Sequence, residues 1–149
     1  MSALLAIYAA LAAMPVEIDG VAVPVLNVTQ LPESVAAGRT PVRLLMPLGT
    51  RPGATSIAAL ALGGAAQAEW RIADLLLLRP AQAGRLEQAA AALVQYMQDY
   101  AVALNSTRAL AGAFIQGAAL EAGVFTYPAG GTAQWFGVEA SLTVKEVWR

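Results

Sequence analysis

The sequence predicts an α+β protein: a mainly antiparallel sheet packed against one long helix, with a short N-terminal helix and a long C-terminal strand. Three patterns carry that expectation. Residues 134–149 alternate: Phe136, Val138, Ala140, Leu142 and Val144 are apolar, and Gly137, Glu139, Ser141, Thr143 and Lys145 between them are small or polar. A two-residue period puts one strand face in the core and the other in water. Residues 84–104 repeat at helical spacing instead, with Leu86, Leu93 and Tyr100 in one row and Ala90, Met97 and Leu104 in the next. Strand-like segments cluster on both sides of that helix, an order that suits helices laid on an antiparallel sheet.

The elements follow in order. Residues 3–14 are alanine-rich, with Leu4, Ile7, Tyr8 and Leu11 at three- and four-residue spacings, and Pro15 stops this first helix. The segment is apolar but has no basic start, so a packed helix is expected rather than a signal peptide, and it is too short to span a bilayer. Residues 16–19 and 21–28 read as strands about Asp19-Gly20, a favoured hairpin turn, with Pro24 marking an edge or a bulge. Residues 30–41 form a loop and residues 42–46 a third strand, with Val42, Leu44 and Met46 on one face and Arg43 and Leu45 on the other.

Residues 47–65, rich in Gly, Pro, Ser, Thr and Ala, are expected as a long loop with a helical turn at residues 57–62. Residues 67–78 begin as an alternating strand, Trp70 and Ile72 against Glu69 and Arg71. They end in Leu75-Leu76-Leu77-Leu78, a run that implies cover on both faces. Residues 108–127 fit a helix or a strand pair, and the β preference of Val124, Phe125, Thr126 and Tyr127 favours strand after Gly117. At roughly 3.3 Å per residue the C-terminal strand would run about 50 Å, against a diameter of roughly 40 Å for a compact chain of this length. It is therefore expected to bend, or to reach past its own domain toward a neighbour.

With 149 residues, a single domain (1–149) is the simplest organisation. The composition is 58% hydrophobic and 13% charged, against about 45–50% and about 25% in ordinary soluble domains, so a monomer would leave apolar surface in water. A homo-oligomer buries that surplus. The net charge of −1 is scattered, with no basic run to wrap nucleic acid. The basic residues are eight arginines and Lys145, a bias that suits bidentate pairs between subunits as well as a GC-rich genome.

Cysteine and histidine are both absent. That removes thiolate nucleophiles, sulfur- and imidazole-ligated metals and the Ser-His-Asp arrangement. No catalytic residue, cofactor or metal ligand set is therefore expected. The stretch Gly49-Thr50-Arg51-Pro52-Gly53-Ala54-Thr55-Ser56 has the glycines of a phosphate loop but lacks its lysine, and is read as a solvated or subunit-contacting loop. Glu17 and Asp19 share a strand side without a completing partner, and Asp74, set in an apolar strand, is expected in an ion pair with an arginine. Of the three tryptophans, Trp70 fits the core, Trp135 lies beside a turn and Trp148 fits an interface.

The element order, with Trp70-Arg71-Ile72-Ala73-Asp74-Leu75-Leu76-Leu77 and Trp135-Phe136-Gly137-Val138-Glu139-Ala140-Ser141-Leu142-Thr143-Val144, resembles small neck and tail proteins of tailed bacteriophages, above all tail terminators and head–tail joining proteins. The resemblance implies a structural virion protein, made in the host cytoplasm, that forms a ring (often a hexamer) ending the tail tube and joining it to the head. Its partners would be other copies of itself, tail-tube and head-connector proteins, and DNA only as it passes through the lumen, with no membrane. Arg39, Arg43, Arg51, Trp148 and Arg149 are the expected interface residues, and Trp148→Ala is expected to weaken assembly while leaving the subunit folded. Three other readings remain: a tail-tube or capsid-decoration subunit, a small binding module holding an apolar ligand near Leu93, Met97 and Trp70, and, last, an enzyme using only carboxylates and tyrosine.

Overall fold

The computed structural model describes residues 4–47, 57–64, 66–107, 109–110, 113–128 and 130–148. Among them the chain forms two α-helices, a seven-stranded sheet and a two-stranded ribbon, an α+β architecture. The expected short N-terminal helix is α1 (Leu4–Ala13), which buries Leu4, Ile7, Tyr8 and Leu11. β1 (Glu17–Ile18) and β2 (Val21–Ala22) pair about Asp19-Gly20, whose φ angles of 52° and 77° make the tight turn that glycine favours.

Pro24 has no N–H to donate, and the second strand ends before it. The chain resumes as β3 (Val25–Leu26), parallel to β4 (Val42–Pro47). The Pro24 carbonyl accepts the Arg43 N–H at 2.9 Å, which starts that parallel pairing.

The sheet order is β3-β4-β6-β9-β8-β7, with β5 (Ile57–Ala61) beside β4 along the same margin of β6 (Ala66–Pro80). β5 replaces the helical turn expected at residues 57–62, because this alanine-rich stretch finds a ladder partner in residues 67–70. Of the rest of the expected loop, Pro47 ends β4, residues 62–64 lie outside any helix or strand, and residues 48–56 and 65 lie outside the described residues. β7 (Ala109–Leu110) and β8 (Ala113–Thr126) settle the ambiguous stretch as strand, with an irregularity between Ile115 and Gly117.

β9 (Gln134–Trp148) is the long C-terminal strand. It does not reach out alone. β6, also of 15 residues, and β8, of 14, pair with it along almost its whole length.

Residue parity on these strands divides the interior into two cores. Trp70, Ile72 and Leu76 of β6, Leu45 of β4, and Phe136, Val138, Ala140, Leu142 and Val144 of β9 face α1 and α2 (Leu86–Ser106). Leu75 and Leu77, Val42 and Leu44, and Trp135 face the opposite way, under Val35 and Tyr127. The leucine run is therefore covered on both sides, as its composition implies.

On α2 the buried seam is Ala89, Leu93, Tyr96, Tyr100 and Leu104. Leu86 and Ala90, expected in the stripe, lie outside it and are exposed, so the helix is rotated toward its tyrosines. Tyr100, common to the expected stripe and the observed seam, reaches a buried carboxylate.

Candidate functional site

The densest cluster of polar groups lies between the helices and the sheet. Arg43 and Asp74 sit on adjacent antiparallel strands, at 0% and 1% exposure. The Arg43 Nε donates to Asp74 Oδ1 at 3.2 Å, and a second, shorter contact joins Arg43 Nη2 to Asp74 Oδ2. This is the bidentate fork that guanidinium and carboxylate planes allow. The remaining donors of Arg43 reach the end of α1, with Nη1 on the Met14 carbonyl at 3.3 Å and Nη2 on the Leu11 carbonyl at 3.2 Å. Those carbonyls lie at the negative end of a short helix, so the cation also answers the helix dipole.

From the other side Tyr100 donates its hydroxyl to Asp74 Oδ2 at 2.8 Å, and its ring lies 5.6 Å from the Arg43 guanidinium carbon. One ion pair thus ties α1, β4, β6 and α2 together. Burial alone would lower the Arg43 pKa. The Asp74 charge and hydrogen bonds outweigh it, and the net shift is upward. Burial, and next the Asp74 charge, raises both Tyr96 and Tyr100. Two phenols held protonated and a guanidinium that stays charged form a clamp around the Asp74 carboxylate.

The expected pairing of Asp74 with an arginine is thus present. The expectation for Arg43 is corrected: its side chain is wholly inside the subunit and does not present a surface to a neighbour. Arg39 is exposed on a short 3₁₀ turn, Ala37–Arg39, and is free to make such a contact. Trp148 ends β9, its backbone paired with Ala66, and its side chain, like Arg51 and Arg149, lies outside the described residues.

Two features escaped sequence reasoning. Glu146 is buried at an even position of β9, on the core face, where its Oε2 accepts the Trp70 Nε1–H at 2.9 Å. The parity that placed Val144 inward would have placed Glu146 there too. Tyr127 packs in the second core and donates its hydroxyl to the Pro32 carbonyl, which pins the 30s loop over the sheet.

The surface offers clefts of modest size. Glu17 and Asp19 meet Asp99 and Gln95 of α2 around a cleft of about 250 Å³. Among the described residues no group of three or more acidic, Cys or His side chains is placed to hold a metal ion. A second cleft of about 270 Å³ runs between α2 and β8, lined by Ala101, Leu104, Ile115, Ala118 and Leu120 with Asn105 and Gln116. Leu93 and Trp70 are core residues, and Met97 packs against the same core. Among the described residues no helix is long and apolar enough to cross a membrane. Comparison with known proteins finds no matching family, no similar curated protein and no similar solved structure.

Proposed function

We propose that this chain is a structural, non-enzymatic subunit of a homo-oligomeric ring at the neck or tail of a tailed bacteriophage. Its role would be that of a tail terminator or head–tail connector, ending the tail tube and joining it to the head. One observation carries the reading. The sheet is built on three strands of 14 or 15 residues, and its outer long strand leaves most of its length in solvent within a charge-poor chain. Broad sheets with open margins join subunits through backbone pairing and apolar cover, and such assembly needs no catalytic group.

The clamp is consistent with the reading from inside, because its buried polar groups hold the layers of the subunit together. The partners would be further copies of the chain and the tail-tube and head-connector proteins, with DNA only passing through the lumen. A tail-tube or decoration subunit would assemble by the same chemistry. The cleft between α2 and β8 favours one further reading, an apolar ligand held between helix and sheet.

Light scattering across a concentration series, alone and with tail-tube protein, tests the proposal. A closed ring, or a monomer that becomes a ring only with tube protein, supports it. A monomer or dimer that ignores tube protein and retains an apolar ligand refutes it.

A further inference from the structure

Among the described residues the outer margin of β8 is open over most of its length. β7 covers it only at residues 113–114, and beyond Ile115 no strand among the described residues pairs outward of β8. Residues 116–126 read Gln-Gly-Ala-Ala-Leu-Glu-Ala-Gly-Val-Phe-Thr, with no proline, no lysine and Glu121 as the only charge. Natural sheet edges are normally blunted by such residues, by bulges or by a covering element. Here the irregularity falls at the start, between Ile115 and Gly117, and the remainder runs as regular ladder.

Apolar surface adjoins this edge. Ala118, Leu120, Ala122 and Val124 pair with Leu142, Ala140, Val138 and Phe136, so they share the face covered by α2. Val124 is nevertheless 47% exposed. The flank of α2 that turns toward β8 at Ala101 continues, at three- and four-residue spacings, through Met97, Val94, Ala90 and Leu86. Val94 is 49% and Leu86 40% exposed. The helix carries a wider apolar stripe than its own subunit covers.

We infer that this edge pairs with the same edge of a second copy, β8 against β8, antiparallel about a two-fold axis perpendicular to the sheet. Three arguments select that occupant. The first is length. At the height of residues 118–126, the opposite margin of the sheet is β4 fronted by the two residues of β3, so a head-to-tail contact finds a much shorter ladder than self-pairing does.

The second is charge. Opposite residues in an antiparallel pair share a face, so the axis falls on a residue. An axis on Glu121 would oppose two carboxylates, which is unfavourable. An axis on Leu120 sets Glu121 against Ala119, and one on Ala122 sets it against Gly123; both registers leave the charge unopposed and bring apolar residues together.

The third is area. An overlap of about 30 Å along the strand and about 20 Å across edge and helix flank covers roughly 600 Å² per partner, near the lower bound of stable interfaces. The two-fold keeps both α2 helices on one side, with their Leu86–Ala101 flanks turned to the seam. A two-fold contact closes on itself, so it joins two subunits or two rings, and the head-to-tail contacts of a ring would fall to other apolar surface; the inference does not rest on the virion reading.

The chain has no cysteine, so single substitutions report the contact cleanly. In a two-fold antiparallel pair the central residue meets its own copy at a Cα separation of about 4.5–5.5 Å, within disulfide reach. Leu120→Cys or Ala122→Cys protein, mildly oxidised, should convert to a covalent dimer on a non-reducing gel. Val102→Cys, on the solvent side of α2, should run as a monomer on the same gel. Ala118→Lys combined with Val124→Lys should lower the solution mass at least twofold while circular dichroism shows the subunit still folded, its melting temperature now independent of concentration. The inference is overturned by an unmodified protein that stays monomeric throughout a concentration series. It is equally overturned if neither edge cysteine cross-links, or if the folded lysine variant keeps its full mass; a ring that survives the lysines would leave the assembly proposal standing without this contact.

Discussion

At the scale of single residues the structure turns on Arg43 and Asp74. A buried ion pair is weak evidence for stability as such, since desolvation offsets most of the attraction, but halving it leaves an uncompensated charge. Asp74→Asn is therefore expected to cost about 3–5 kcal/mol in urea unfolding, and a loss near zero would show that water reaches the pair. Tyr100→Phe removes one bond to the carboxylate and should cost less, about 1.5–3 kcal/mol. The tyrosines also set a pH dependence. Tyr96 and Tyr100 are raised above the ordinary phenol value of 10.0. Their contribution is fully present below that value and is lost as pH climbs above it, because the unfolded chain releases phenol protons that the native state retains. Denaturant midpoints should thus be level from neutral pH to about pH 9 and fall by about pH 11. A midpoint that holds at pH 11 would refute the burial of these hydroxyls. The ion pair of Asp74 was foreseeable from a carboxylate in an apolar strand. The role of Arg43 was not, because a strand face with one arginine looks the same in sequence whether water or a helix end lies above it.

Among the elements, β9 was the most legible and α2 the most misleading. Alternation over a long run leaves one solution, since a slip of one residue would turn every apolar side chain into water. The helix stripe was too broad to orient: Leu86 and Ala90 are as apolar as Ala89 and Leu93, and packing against the sheet buried the second pair and left the first exposed. Alanine-rich residues 57–61 carry little facial information, and pairing with β6 made them a strand. Gly137 marks where backbones come closest. A Cβ there would lie 2.0 Å from the Leu76 carbonyl oxygen on β6, and the obstacle is main chain. Gly137→Ala should therefore force the two central strands apart and cost about 3 kcal/mol or more, measured by chemical unfolding. Gly123, two strands from β6 and with open space above it, should accept alanine at a cost below about 1 kcal/mol. Equal losses at the two sites would contradict the ladder register.

For the whole molecule the question is what covers the apolar surface of a charge-poor chain. Leu5, Val21, Leu62 and Val102 are each more than half exposed, and the β8 margin adds a continuous apolar edge. Such a surface predicts concentration-dependent association, so the apparent melting temperature should rise with protein concentration, as it does for any assembly that binds only folded subunits. A melting temperature constant over a hundredfold range would mean that the subunit is self-sufficient. The sequence by itself determined the α+β class, the long C-terminal strand, the helix spanning most of residues 84–104 and the doubly covered leucine run, because periodicity and composition are local properties that each segment carries alone. Only the tertiary structure decided which arginine lies inside, which flank of α2 stays wet and which sheet edge is left open. Those depend on what packs above a residue, and neighbours brought together from distant segments leave no mark on either segment's own pattern.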